Sequence, residues 1–261
     1  MDLGLDGKRA LVTGAGRGIG LAITQALVRE GAHVVAGVHG DAAELDELVA
    51  AGSVRVERAD LAAQAGPEQL ARAAQEDGPL DVLVNNAGAV HPRLEGFAAI
   101  TDDEWLDTWN LDFMAVVRLT RAVLPAMMAA GGGTVVNIVS VNAFLPDPGV
   151  IDYCAAKAAL ANFSKALSKE VGPRGVRVNT VSPGPVSTGL WLGDRGVAQT
   201  VAAAQGASAQ DVAANQAAQA ATGRFTAPEE VADLVVLLAG ERAGNVTGAD
   251  FVIDGGLVTT L

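Results

Sequence analysis

Cysteine is almost absent. The 261 residues hold one, Cys154, so no disulfide can form within the chain. The three histidines, His33, His39 and His91, are scattered without metal-ligand spacing and offer no metal centre. Aromatic side chains make up 4% of the sequence, too few for a platform that stacks single-stranded bases. Lys and Arg number 18 against 30 Asp and Glu, giving a net charge of -12. A nucleic-acid binder needs a basic face to release counterions, and no Lys/Arg cluster exists here. The same balance disfavours an anionic membrane surface, and the acidity reads as solubility. No uncharged apolar run reaches the ~18 residues of a membrane helix. The opening Met-Asp-Leu-Gly-Leu-Asp-Gly-Lys lacks a basic region followed by an apolar stretch. The expectation is a soluble, cytoplasmic protein without nucleic-acid, membrane or metal partners.

What remains suits one large core: half the residues are apolar. Strand-like and helix-like segments alternate from end to end. Candidate strands cover residues 10–13, 33–38, 54–58, 81–85, 134–138, 176–181 and 249–253. Most are short, Val-rich and apolar on consecutive residues, as strands buried on both faces must be. Ile19, Ile23 and Leu27 recur every fourth residue before Gly31, a helix stop. Long helices are predicted over 111–128 and 155–171, and Pro228-Glu229-Glu230 opens the last one. Strand, helix, strand in succession predicts parallel pairing and right-handed crossovers. The predicted fold is therefore α/β: a single-domain, doubly wound parallel sheet of about seven strands, with ligands at the carboxyl ends of the strands. Residues 190–225, rich in Ala, Gln and Gly, interrupt the alternation; a substrate lid or a surface helical hairpin would account for them.

Thr13-Gly14-Ala15-Gly16-Arg17-Gly18-Ile19-Gly20 joins the first strand to the first helix. Its glycines permit a tight turn and close approach of a pyrophosphate, and the helix N-terminus supplies free N–H donors. The spacing is T-G-x-x-x-G-x-G and not the more common G-x-G-x-x-G. Asn85-Asn86-Ala87-Gly88 closes the fourth strand. Tyr153-Cys154-Ala155-Ala156-Lys157 places a phenol and an amine one helical turn apart. Pro183-Gly184 with Thr188, and Asp254-Gly255-Gly256, follow in order. With these five motifs the whole chain resembles the short-chain dehydrogenase/reductase family, in particular its single-domain, 3-oxoacyl-reductase-like members.

The resemblance implies an NAD(P)-dependent oxidoreductase that moves a hydride between nicotinamide and a ketone or secondary alcohol. Tyr153 is its implied general acid or base. An unperturbed tyrosine has a pKa of about 10; a neighbouring Lys157 ammonium is expected to lower it, and the oxidised nicotinamide adds a second positive charge, so that Tyr153 exchanges a proton near neutral pH. Ser140 stands at the family's catalytic serine position, to stabilise charge on the substrate oxygen. Asn110 is the implied fourth member, holding a water that links Lys157 to solvent. Implied cofactor contacts are Gly14, Gly16, Arg17, Gly18, Ile19 and Gly20 in the loop. Val38, His39, Asp60 and Leu61 would lie near the adenosine. Asn86, Ala87, Gly88, Tyr153, Lys157, Pro183, Gly184, Val186 and Thr188 complete the set.

NAD-preferring relatives carry an acid where Val38 stands, and NADP-preferring ones often carry Arg at His39. Neither is present. Without the acid nothing repels a 2′-phosphate, and Arg17 can reach it, so NADP(H) is favoured and NAD(H) is the alternative; Asp41 is a further candidate ribose contact. Expected substrate walls are His91, Asn142, Phe144, Leu145, Leu190 and Trp191, with Pro92, Arg93 and Leu94 nearby. Mostly apolar, they suggest a medium-sized, partly apolar ketone or alcohol. The family also implies a homotetramer. Two rivals are a non-catalytic dinucleotide-sensing protein on the same scaffold, and an epimerase or dehydratase of the extended relatives, whose loop and larger C-terminal domain this chain lacks.

Overall fold

The computed structural model describes residues 2–260. Seven strands form one sheet: β1 (Arg9–Thr13), β2 (His33–Val38), β3 (Val54–Arg58), β4 (Val82–Asn85), β5 (Gly133–Ile138), β6 (Val176–Pro183) and β7 (Asp250–Ile253). They lie in the order β3-β2-β1-β4-β5-β6-β7, and every neighbouring pair is parallel. Ten α-helices lie among the described residues: α1 (Gly18–Arg29), α2 (Asp46–Ala50), α3 (Gly66–Ala74), α4 (Asp102–Trp109), α5 (Ala115–Ala129), α6 (Ile151–Val171), α7 (Gly189–Leu192), α8 (Val197–Gln205), α9 (Ala209–Ala217) and α10 (Pro228–Ala239).

The uninterrupted apolar runs follow from burial on both faces. Along a strand, successive side chains point to opposite sides. Ala10 and Val12 of β1 join a cluster with Ile23 and Leu27 of α1 and Val231 and Val235 of α10. Leu11, between them, joins the opposite cluster with Leu70 of α3 and Leu119, Val123 and Met127 of α5. Val82 and Val84 divide from Leu83 in the same way. Two cores thus sandwich one sheet, which holds the strand ends rigidly.

The order of strand addition reverses across the sheet at β1, which pairs with β2 on one side and β4 on the other. The helices that follow β1 and β4 leave from opposite faces, so a crevice opens at their carboxyl ends. The segment expected as one helix over 111–128 is in fact helical from Asp102. Its middle is a π-helical turn, Asn110–Met114, joining α4 to α5. Such a turn holds an extra residue and re-aims the side chains that follow it. The insertion at 190–225 holds three short helices, and no helix among the described residues is long and apolar enough to cross a membrane.

Leu27, fully buried between β1 and α10, tests the first core. Leu27→Ala is expected to cost about 2–5 kcal/mol in denaturant unfolding. Val49→Ala, at a half-exposed position, is expected to stay within about 0.5 kcal/mol of wild type.

Candidate active site

Thr13 ends β1 with its hydroxyl at the crevice. That hydroxyl accepts the N–H groups of Asn86 (2.9 Å) and Ala87 (3.0 Å), which follow β4. The Asn86 amide returns a bond to Thr13 O at 2.9 Å. The two strand ends are thereby tied across the reversal point. Beyond Thr13 the loop turns so tightly that a Cβ at Gly20 would fall 2.1 Å from Gly14 O; only glycine fits. Arg17 precedes α1 in extended conformation and no side chain caps the helix, so its first amides and the positive end of its dipole face the crevice. Thr188 closes the far side, its Cγ2 only 3.2 Å from where a Cβ at Gly18 would sit. These features fit a dinucleotide pyrophosphate.

The flanking residues differ in their surroundings. Val38 is buried behind Gly16, while Arg17 and His39 are exposed. His39 Nδ1 lies 3.9 Å from the Asp60 carboxylate. Leu61 is a core residue packed with Val35 and Leu70. Asp41 is exposed, and its Oδ1 accepts the Ala42 and Ala43 N–H groups and starts the next turn. Gly184 follows β6 and donates to Ile253 O at 2.9 Å. Val186 bridges to Thr226, at the two ends of the insertion.

The proton-handling group gathers at the end of β5. Ser140 caps the turn 141–143, its hydroxyl accepting Asn142 N–H at 3.1 Å and donating to Asn142 Oδ1 at 3.2 Å. Tyr153 and Lys157 lie in the first two turns of α6, with the ammonium 5.4 Å from the centre of the phenol ring. Lys157 is almost wholly buried, and its Nζ donates to Ile138 O at 3.2 Å. Burial works against that charge, yet Tyr153 and Asp112 hold the ammonium above its ordinary pKa.

The Asn110 amide oxygen accepts from Arg118 at 3.1 Å, and Asp112 of the same π-helical turn is buried. Asp112 Oδ1 lies 3.3 Å from Lys157 Nζ, with both side chains buried. Lys157 pulls the Tyr153 pKa down, as expected, but burial outweighs that pull and leaves the phenol above its ordinary value. Burial pushes the Tyr153 phenol up; Lys157 and the Ser140 hydroxyl pull it down, and Asp112 and Cys154 push it up further.

The expected substrate walls split. Phe144, Leu145 and Leu190 are exposed apolar side chains, and Trp191 stacks edge-on with Phe225 at 5.5 Å. His91 is exposed, and Asn142 is engaged with Ser140 and with Cys154 Sγ at 3.6 Å. Cys154 is buried and accepts Asp147 N–H at 3.3 Å. Arg93 is no wall. It lies in a closed cluster, donating to Asp152 Oδ2 (3.0 Å) and Glu104 Oε1 (2.7 Å), while Thr108 also donates to Asp152. The cluster pins the loop after β4 to the residue before Tyr153. Asp112 and Asp152 were the residues that sequence reasoning passed over. Their signal was a carboxylate flanked by apolar or aromatic residues, which when buried demands a partner.

No group of three or more potential metal ligands gathers among the described residues. The family model described as short chain dehydrogenase matches residues 8–196. The chain is 35% identical over 257 residues to a 3-oxoacyl-[acyl-carrier-protein] reductase of Vibrio harveyi, covering 98% of this chain and 99% of the relative. It is 38% identical over 265 residues to a D-threitol dehydrogenase of Mycolicibacterium smegmatis, covering 98% and 94%. Among solved structures, the L-sorbose reductase of Gluconobacter frateurii, complexed with NADPH and L-sorbose, superposes with a TM-score of 0.91 at 34% identity, with both chains wholly covered. Sheet order, phosphate loop and full-length likeness agree: this chain belongs to the short-chain dehydrogenase/reductase family.

Proposed function

We propose that this chain interconverts a ketone and a secondary alcohol, with NADPH as the preferred hydride carrier and Tyr153 as general acid or base. The observation that carries this reading is the convergence of Ser140, Tyr153 and Lys157 beside the crevice that the phosphate loop forms. A bound nicotinamide dinucleotide supplies or accepts the hydride. Ser140 offers its hydroxyl to the substrate oxygen and stabilises charge growing there. Tyr153 delivers the proton to that oxygen during reduction and removes it during oxidation. Lys157, charged and buried, stabilises the phenolate that reduction leaves behind. A dinucleotide sensor has no use for a buried ammonium aligned on a phenol, so the catalytic reading is preferred over the non-catalytic one.

The family relatives support the reaction class. One is named for reducing 3-oxoacyl groups, one for dehydrogenating D-threitol, and one for reducing L-sorbose; a carbonyl or its alcohol is common to all three. NADPH is favoured because Val38 sets no carboxylate at the end of β2, Arg17 is free to reach a 2′-phosphate, and the sorbose reductase holds NADPH. The chain is read as one catalytic domain, with the insertion at 190–225 as its substrate lid and Leu190 and Trp191 on the inner side. Leu106 and Trp109 of α4 and Phe97 before it are exposed, which supports pairing of this region in a homotetramer. The single cysteine and the acidic surface accord with a cytoplasmic protein.

Three measurements test this reading. Tyr153→Phe is expected to bind NADPH, seen by quenching of its fluorescence, while turnover of a ketone panel falls by about 10²–10⁴; near-normal turnover defeats the assignment. kcat/KM is expected to be higher with NADPH than NADH, and Arg17→Ala to narrow that ratio by about tenfold; a strong NADH preference reverses the cofactor assignment. Sedimentation velocity at micromolar concentration is expected to give a tetramer, and a monomer would count against the assembly.

A further inference from the structure

Tyr153 stands where a helix is least secure. It is the third residue of α6, and no side chain caps the start of that helix. The first N–H groups of a helix have no partner within it, so an uncapped first turn is weakly held. A proton donor placed there needs another hold, because misplacement by about 1 Å costs on the order of 10²-fold in rate. Asp152, the residue before it, supplies one. Its side chain is 1% exposed. Three donors converge on Asp152 Oδ2: Arg93 Nε at 3.0 Å, Arg93 Nη2, and Thr108 Oγ1 of α4 at 2.8 Å. Burial works against the charge, yet the bonds from Arg93, Thr108 and the Tyr153 N–H hold the Asp152 carboxyl below its ordinary pKa, so it is ionised. Arg93 is anchored in turn. Its Nη1 donates to Glu104 Oε1 at 2.7 Å, and its backbone N–H donates to Gly149 O at 2.7 Å, two residues before α6. The loop after β4 thus grips the approach to α6 at residue 149 and its first turn at residue 152.

We propose that Arg93 and Asp152 are positioning residues of the reaction, an ion-paired clamp that holds the first turn of α6, and with it the Tyr153 phenol, in the reacting position. This rests on the reading of Tyr153 as the general acid or base. Both residues act through the backbone between 149 and 153 and not on the substrate. The pair suits the task. Charge-assisted bonds to a planar guanidinium are short and directional, and burial protects them from salt and water, which loosen a surface pair. Removing one partner leaves the other buried without its counter-charge, so the geometry goes with the bond. Thr108 adds a third point of attachment from α4, the helix whose capping box Glu104 completes.

The test compares the full-length wild type with Asp152→Asn, Arg93→Met and the two combined. NADPH-binding sites are counted by titration, so that any loss of folded protein is divided out. In each single variant kcat per site for ketone reduction is expected to fall about tenfold or more, with the ketone KM and the NADPH Kd within about twofold of wild type. The combined variant is expected to be no slower than the slower single one, because both changes remove the same contact. A merely structural pair would change the melting temperature and the number of sites and leave kcat per site at the wild-type value; that result overturns the proposal, as do losses that multiply in the combined variant. Should Asp152→Asn and Arg93→Met both fail to fold, Thr108→Val decides: it keeps the ion pair and the shape of the side chain but removes one bond to Asp152. A lower kcat per site at unchanged KM supports the clamp, and an unchanged kcat overturns it. The two readings fail separately: an active Tyr153→Phe defeats the catalytic assignment, while wild-type kcat per site in the clamp variants defeats only the role of Arg93 and Asp152.

Discussion

Lys157 carries a full charge almost out of reach of water, and the surrounding architecture is arranged around that constraint. Desolvating an ammonium costs several kcal/mol unless partners replace its hydration. Here three groups do so from different parts of the chain. Ile138 O comes from the end of β5, the Asp112 carboxylate from the turn between α4 and α5, and the Tyr153 ring from the preceding turn of α6. Loss of any one leaves the charge under-compensated. The ammonium therefore fixes the relative positions of a strand end, a helix junction and a helix start, and the phenol takes its place from them.

A second buried ion group reinforces this arrangement. Asp152, beside Tyr153, accepts from Arg93 and Thr108, and Arg93 also holds Glu104. Glu104 completes a capping box with Thr101 at the start of α4. The start of α6, the start of α4 and the loop after β4 are thus tied to one another. On the other side of the reversal point, Thr13 and Asn86 lock β1 to β4. The dinucleotide crevice and the proton-handling group are each tied to the sheet, so the distance between them follows from strand register and not from loop conformation.

The sheet was legible from local sequence because its physics is local. A strand buried on both faces reads as consecutive valines, and all seven expected strands occur within two residues of their expected limits. The phosphate loop and the Tyr153–Lys157 pair were legible for a similar reason: each is a contiguous motif whose chemistry depends on spacing along the chain. The helix junction was not. Nothing in Asn110-Leu111-Asp112-Phe113-Met114 announces a π-helical turn, so nothing local shows that Asp112 meets Lys157. Likewise the rise in the Tyr153 pKa depends on burial and on a carboxylate forty-one residues upstream, which no motif around Tyr153 records. Arg93 looked like a pocket wall because its acidic partners lie far away in sequence.

The bridge between Val186 and Thr226 has a separate consequence. It clasps the insertion at its base, while Thr222 N–H donates to Gly255 O and ties its exit to the turn after β7. A segment whose two ends are held this close adds little closure entropy when its length changes. The three short helices beyond the clasp can then be lengthened, shortened or exchanged without strain reaching the sheet. The insertion is in this sense a separable inheritance: strand register stays as it is while the clasped segment can be rewritten by itself.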